Sequence, residues 1–261
     1  MNSKILGSLL ALWCSVAAAS SASKTSDLNE AFIAAVGQQA PVTRNVKQAL
    51  ESVGNPDKVT EYADRAFSLK PERLIPLGGN RFALVIQEID ENGAHAFPGA
   101  LALAYLTKDG NAWRSEKFWP EIAYVGNSGK PNYKSEVRQF GGRLLYLSTS
   151  KYCQMGGCED DVDVVLLEPT APRYVGGFAG DSQFPTIFPH PLGASCESYD
   201  YKVSIAPPAL DGDLFSVTYR GWTAPPNRRS PKHSLLVRAD AVLAGNAIEF
   251  HPKVIIPDCG K

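Results

Sequence analysis

The chain has little of what catalysis usually leaves behind in a sequence. Its four histidines, His95, His190, His233 and His251, are scattered, and none shares a helical face with another. His-Glu-x-x-His is absent, which excludes the zinc-protease arrangement of two ligands and a base on one helix. No Gly-x-Ser-x-Gly elbow occurs. Gly193-Ala194-Ser195-Cys196-Glu197 comes nearest and lacks the closing glycine that the strained nucleophile turn needs. Gly126-Asn127-Ser128-Gly129-Lys130 has Tyr124 where a phosphate loop needs its first glycine and Pro131 where it needs Ser or Thr, so it is read as a turn. Cys-x-x-Cys spacing is missing and no histidine stands near a cysteine pair, so no metal site is expected. No cofactor motif is present.

Charge of one sign is lacking too. There are 26 basic and 27 acidic residues, interspersed rather than blocked. That balance points away from nucleic acid and from a polybasic membrane patch. Long apolar runs are also missing. The longest, Ile5 to Val16, is shorter than the roughly 20 residues a membrane span needs. No stable membrane insertion is therefore expected once it is removed.

That run has another use. Lys4 precedes it, and Ala17-Ala18-Ala19 and Ser21-Ala22 follow it. Positive start, apolar stretch and small-residue site form the order of a secretory signal peptide, cut after Ala19 or Ala22. Trp13 before Cys14 stands where lipid processing needs a small residue, which argues against lipidation. Residues 1–22 are read as leader and the protein as periplasmic or secreted. Removing Lys4 takes the formal charge from −1 to −2.

Four cysteines remain: Cys153, Cys158, Cys196 and Cys259. An even count in an oxidising compartment reads as two disulfides. Of three connectivities, Cys153–Cys158 with Cys196–Cys259 is preferred. Gly156-Gly157 permits the tight return of the first pair, and the second would tie down the tail.

Residues 23–73 read as helical. Ser26 or Asp27 caps a segment with Leu28, Phe32 and Val36 one turn apart, ended by Gly37. Thr43 caps a second, with Val46, Leu50 and Val53 on one face. Asn55-Pro56 opens a third, striped by Val59, Tyr62, Ala63 and Ala66 and closed at Lys70-Pro71.

From Leu74 the apolar period changes from 3.6 to 2, and residues 74–261 read as a β-meander domain. A weak repeat runs through it. Residues 78–84 are echoed by 141–147, and 100–106 by 161–167. Each second strand turns into a third that bears Trp113 or Tyr174. A looser third copy pairs 214–219 with 235–239 and turns at Gly245-Asn246. The expected fold is mainly β: about three strand–loop–strand–turn–strand repeats in an open or propeller-like sheet, with the helices over an edge.

Glu159-Asp160-Asp161 with Asp163 is the densest acidic cluster. Asp161 and Asp163 alternate with Val162 and Val164, as the solvent face of a half-buried strand would. The long loop of each copy joins its first two strands, so equivalent copies put three loops on one edge. These carry His95 and Phe97; Tyr152 and Met155; Trp222, Arg228, Arg229 and His233. Trp, Tyr, Met and Arg are enriched at protein contacts. The expected function is non-enzymatic: an envelope protein binding another macromolecule, as an inhibitor or immunity-type protein against a hydrolytic toxin would. The alternatives are an envelope hydrolase using carboxylates on glycan or peptide, which leaves no motif, and a carbohydrate-binding module stacking sugars on Trp113, Trp119 or Trp222.

Overall fold

The computed structural model describes residues 25–37, 42–44, 65–93, 98–154, 157–184, 198–224 and 231–252. Helix α1 covers residues 25–36 and stops at Gly37, whose amide donates to Ile33 O at 2.8 Å with φ at +70°. The stop falls where the sequence places it. Ser26 and Asp27 do not cap the helix but lie within it. Ser26 Oγ donates to Glu30, and Asp27 pairs at 2.6 Å with Lys108 on the first sheet.

That sheet runs β1 (Val42–Arg44), β2 (Arg65–Gly78), β3 (Arg81–Ile89), β4 (Gly99–Asp109) and β5 (Ala112–Val125). The second runs β6 (Lys134–Phe140), β7 (Arg143–Gln154), β8 (Gly157–Leu167), β9 (Pro172–Phe184), β10 (Ser198–Ala206), β11 (Phe215–Ala224), β12 (His233–Ala244) and β13 (Ala247–His251). Within each sheet every strand pairs antiparallel with its neighbours in sequence, and neither sheet closes. The three sequence repeats are β3–β5, β7–β9 and β11–β13. One further strand precedes each, giving three four-strand meanders.

Two expected helices fail where they can be seen. Thr43 is not a helix cap: it is extended in β1, opposite Ala66. Ala66, Lys70 and Pro71 belong to β2, so strand begins at Arg65 rather than Leu74. Pro71 and Pro76 would normally interrupt a strand, since neither donates to the ladder. Here the register shifts between Pro71 and Arg73 and again between Pro76 and Gly78, so bulges absorb both. Val46, Leu50, Val53, Val59, Tyr62 and Ala63 lie outside the described residues.

Packing stacks these elements in four layers. α1 lies on one face of the first sheet, with Ala31 against Leu84, Ile86, Ala102 and Ala104. It covers a face, not an edge. The opposite face, with Val85, Leu101 and Leu103, meets Tyr146, Val165 and Leu167 of the second sheet. Hence Gly99–Leu106 of β4 is buried throughout, as a strand covered on both sides must be. The second sheet then folds over itself. β9 and β10 pair only through Ser182–Phe184 and Tyr199–Tyr201. Beyond that hinge, Leu147, Val164 and Val175 pack on Val217, Leu235 and Ala241. Phe178 meets Phe250 edge to face at 5.6 Å between ring centroids.

A bulge also aims one carboxylate across the layers. Glu72 is the unpaired residue between Pro71 and Arg73, and bulges re-aim side chains in this way. Its oxygens accept from Tyr146 Oη at 2.8 Å, Asn132 Nδ2 at 3.0 Å and Gln87 Nε2 at 3.1 Å, and from Ser135 Oγ. Asn132 Nδ2 also donates to Tyr146 Oη at 2.9 Å. This network joins the first sheet to the second.

Candidate functional site

Strand direction alternates along a meander, so its connections fall at two ends. One end holds the tight turns 79–80, 110–111, 141–142, 168–171 and 245–246 and one longer connection, 207–214. Arginines stitch it shut. Arg81 donates to Pro169 O at 3.2 Å, Arg143 to Gly212 O at 3.0 Å and Arg173 to Gly245 O at 3.1 Å. A cavity of about 540 Å³ lies there beneath Leu77, Leu144 and Leu167. The Arg81 guanidinium at its mouth is engaged by Glu116 at 2.7 Å.

The other end carries the β3–β4, β5–β6, β9–β10 and β11–β12 connections. The long loop expected over Ser150–Asp160 is instead strand, because Ser150–Gln154 pair with Gly157–Asp161 and leave only two residues between β7 and β8. Asp90 N donates to Gly129 O at 2.9 Å, joining the β3–β4 loop to the β5–β6 connection. Asn127 Nδ2 donates to Lys151 O at 2.6 Å, joining that connection to the end of β7. Asn127 and Lys130 exchange backbone bonds of 3.1 and 2.9 Å, so the glycine-rich segment is the tight turn its sequence implies. Gly129 is required in it: φ is +74°, and a Cβ would stand 2.0 Å from Asp90 O.

Three of the residues singled out in the sequence are described. Tyr152 lies on β7 opposite Glu159. Trp222 lies half-buried on β11 outside the three core clusters, with Lys232 Nζ 3.5 Å from its ring centroid. His233 opens β12, exposed and opposite Thr223. A single ladder row, Cys153, Cys158, Gln183, Asp200, Trp222 and Ser234, crosses the second sheet near this end. The loops of the second and third repeats therefore share one rim. His95, Phe97, Met155, Arg228 and Arg229 lie outside the described residues. The Cys153–Cys158 disulfide is formed across the ladder. Cys196 and Cys259 lie outside the described residues. Tyr133, 53 % exposed, joins the same end: its hydroxyl donates to Asp160 Oδ2 at 2.6 Å, and Lys151 Nζ sits 5.2 Å over its ring. Nothing in its sequence surroundings marked it.

The tryptophans proposed as a sugar platform do not line up. Trp113 packs in the α1-side cluster against Phe82, and Trp119 packs in the inter-sheet cluster against Tyr105. They lie on opposite faces of the first sheet.

Asp161 is exposed and Asp163 half-buried, alternating with buried Val162 and Val164 as the sequence pattern implies. The two aspartates share the β8 face that carries Val165 and Leu167, the face turned toward the first sheet. Towards the long-loop end the sheets part, leaving a cavity of about 640 Å³ between β5 and β7–β9. Asp161, Asp163, Ser150, Tyr174 and Phe178 line one side, and Glu121 and Ile122 the other. Glu121 sits in a β5 bulge with φ at +53°. Burial pushes the Asp163 carboxyl up to about 7, although Tyr174 Oη donates to it at 2.9 Å; Asp161 adds to the rise with its negative charge. Burial also raises Asp161, helped by Glu159 and Asp160. Alternation showed which residues share a face, but not that a second sheet stood opposite.

The chain matches no protein-family model, no curated protein and no solved structure.

Proposed function

We propose that this is an exported, non-enzymatic binding protein that holds a macromolecular partner at the long-loop end of its stacked sheets. An inhibitor or immunity-type protein acting in the cell envelope or outside it is the concrete form. The observation that supports this reading most is the asymmetry of the two ends. One is closed by five short turns, one longer connection and arginine bonds, while the other gathers most of the longer connections, with Tyr133, Tyr152, Trp222 and His233. Irregular chain gathered at one end of a rigid frame presents binding side chains there.

Trp222 is the expected energetic centre, together with Arg228 and Arg229 from the adjoining loop. Trp and Arg dominate such contacts because each buries a large area and adds directed bonds. Pro225-Pro226 lowers the ordering cost of that loop. The test is capture of partners from envelope and secreted fractions by the mature, oxidised chain, followed by affinity measurement on variants. Trp222→Ala and Arg228→Ala should each cost about 2 kcal/mol, roughly thirty-fold in affinity. Neither should move the melting temperature much. Leu210→Ala, at the opposite end and 68 % exposed, should change neither property. Unfolding by Trp222→Ala, or normal binding by both loop-end variants, contradicts the reading.

A further inference from the structure

The cavity at the tight-turn end is independent of the loop-end reading and has a chemistry of its own. It lies where the β2–β3 turn of the first sheet meets the β6–β7 and β8–β9 turns of the second. Its volume of about 540 Å³ is that of a small-molecule site. The walls are mostly leucine. Leu77, Leu144 and Leu167 come from the inter-sheet core, and Leu166 and Leu243 from the core inside the folded second sheet. The cavity therefore wraps the ends of β7 and β8 and touches both cores. Leu77, Leu144 and Leu243 are only half-buried, so hydrocarbon faces it that the packing of the sheets has not covered.

The charged groups at its mouth narrow the choice. They are Arg81, Arg143 and Glu168. Arg81 spends Nε and Nη2 on Glu116 at 3.0 and 2.7 Å, and Nη1 on Pro169 O at 3.2 Å. Glu168 is held by Arg173 at 2.6 Å. Both therefore carry their own counter-ions. Arg143 forms no ion pair with any described residue. Its Nη1 donates to Gly212 O at 3.0 Å, which pins the guanidinium. The Nε and Nη2 edge, the one that meets a carboxylate through two parallel bonds, has no acceptor among the described residues.

We propose that this cavity binds a carboxylate carried on a hydrocarbon stem, with the carboxylate on the open fork of Arg143 and the stem against the leucine walls. Each half of such a ligand answers one feature of the site. The stem removes the half-buried leucines from water, which is favourable in proportion to the apolar area covered. The head takes the one charge at the mouth that the chain leaves uncompensated, through bonds stronger than those between neutral groups. A cationic head would meet the same guanidinium with the wrong sign, and a neutral one would forgo the charge-assisted bonds. Because Gly212 already holds the Arg143 side chain, less of its rotamer freedom is lost on binding.

The experiment is calorimetry on the mature, oxidised chain, with octanoate as the probe and 1-octanol and acetate as comparisons. Octanoate should bind one-to-one, octanol about ten-fold more weakly, and acetate weakest of all, since losing a charge-assisted pair of bonds is worth about that factor. Arg143→Gln should bring octanoate down to the level of octanol and leave octanol unchanged, which a merely structural role for Arg143 would not do. Leu243→Ala, in the wall, should weaken both ligands alike. Arg138→Gln, which deletes an exposed guanidinium on β6 that pairs with Glu136, should change nothing. The proposal is overturned by unchanged octanoate affinity in Arg143→Gln, by octanol or acetate binding as tightly as octanoate, or by no octanoate binding to the folded protein.

Discussion

Replacing Asp163 by asparagine should stabilise the protein at pH 8 and leave its stability unchanged near pH 4. In the folded chain the Asp163 carboxyl keeps its proton to about pH 7, against 3.8 for the ordinary group. Between those values unfolding releases a proton, because the unfolded chain binds fewer. Stability therefore falls as pH rises through that window and is flat on either side of it. Each pH unit of separation is worth about 1.4 kcal/mol, so the full window carries up to about 4 kcal/mol. Asparagine has no proton to lose and can still accept from Tyr174. Urea titrations at pH 4, 6 and 8 should show the two proteins level at the lowest pH and diverging upward. Parallel curves would mean that Asp163 is solvated in both states.

Glu72→Leu should be the most damaging single change in the inter-sheet network. The carboxylate accepts from Tyr146, Asn132, Gln87 and Ser135 at once. A leucine leaves those donors facing an apolar group inside the interface. Hydrogen bonds to a charged group contribute about 1.5–3 kcal/mol each, and donors stranded by loss of a shared acceptor cost more than the bond alone. A loss of about 3–5 kcal/mol is expected, by analogy with breaking a buried charged network. Tyr146→Phe should cost only about 1–2 kcal/mol, because Asn132, Gln87 and Ser135 still satisfy Glu72. The pair should be strongly non-additive, since once Glu72 is replaced the Tyr146 hydroxyl has already lost its acceptor. Additive losses on chemical denaturation would show that Glu72 and Tyr146 act separately.

Local patterns carried much of the fold. Gly37 ends α1 where the 3.6-residue period stops, and the meander order of β3–β5, β7–β9 and β11–β13 follows from alternation and turn residues alone. Cys153 and Cys158 were readable because their short spacing with Gly156-Gly157 implies a close return, and the ladder sets the two opposite each other. β2 was not, because Pro71 and Pro76 mimic helix punctuation, and only the register shifts show how a strand accommodates them. The cavity was hidden for another reason. The Asp-Val-Asp-Val run of β8 fixes two faces but not what each one meets. Val165 and Leu167 continue the Asp161–Asp163 face into the inter-sheet core, so one face runs from an exposed aspartate to buried apolar residues. Glu72 likewise gains its meaning from Tyr146, which lies 74 residues away in sequence.

Partner binding at the long-loop end is tested most directly by hydroxyl-radical footprinting of the mature chain, free and with the partner it captures. Protection should concentrate on Tyr133, Tyr152 and Trp222, with Trp113 and Leu210 reacting equally in both states. Protection of Leu210 and the 141–142 turn, with the reactivity of Trp222 unchanged, would place the partner at the wrong end of the sheets and contradict the proposal.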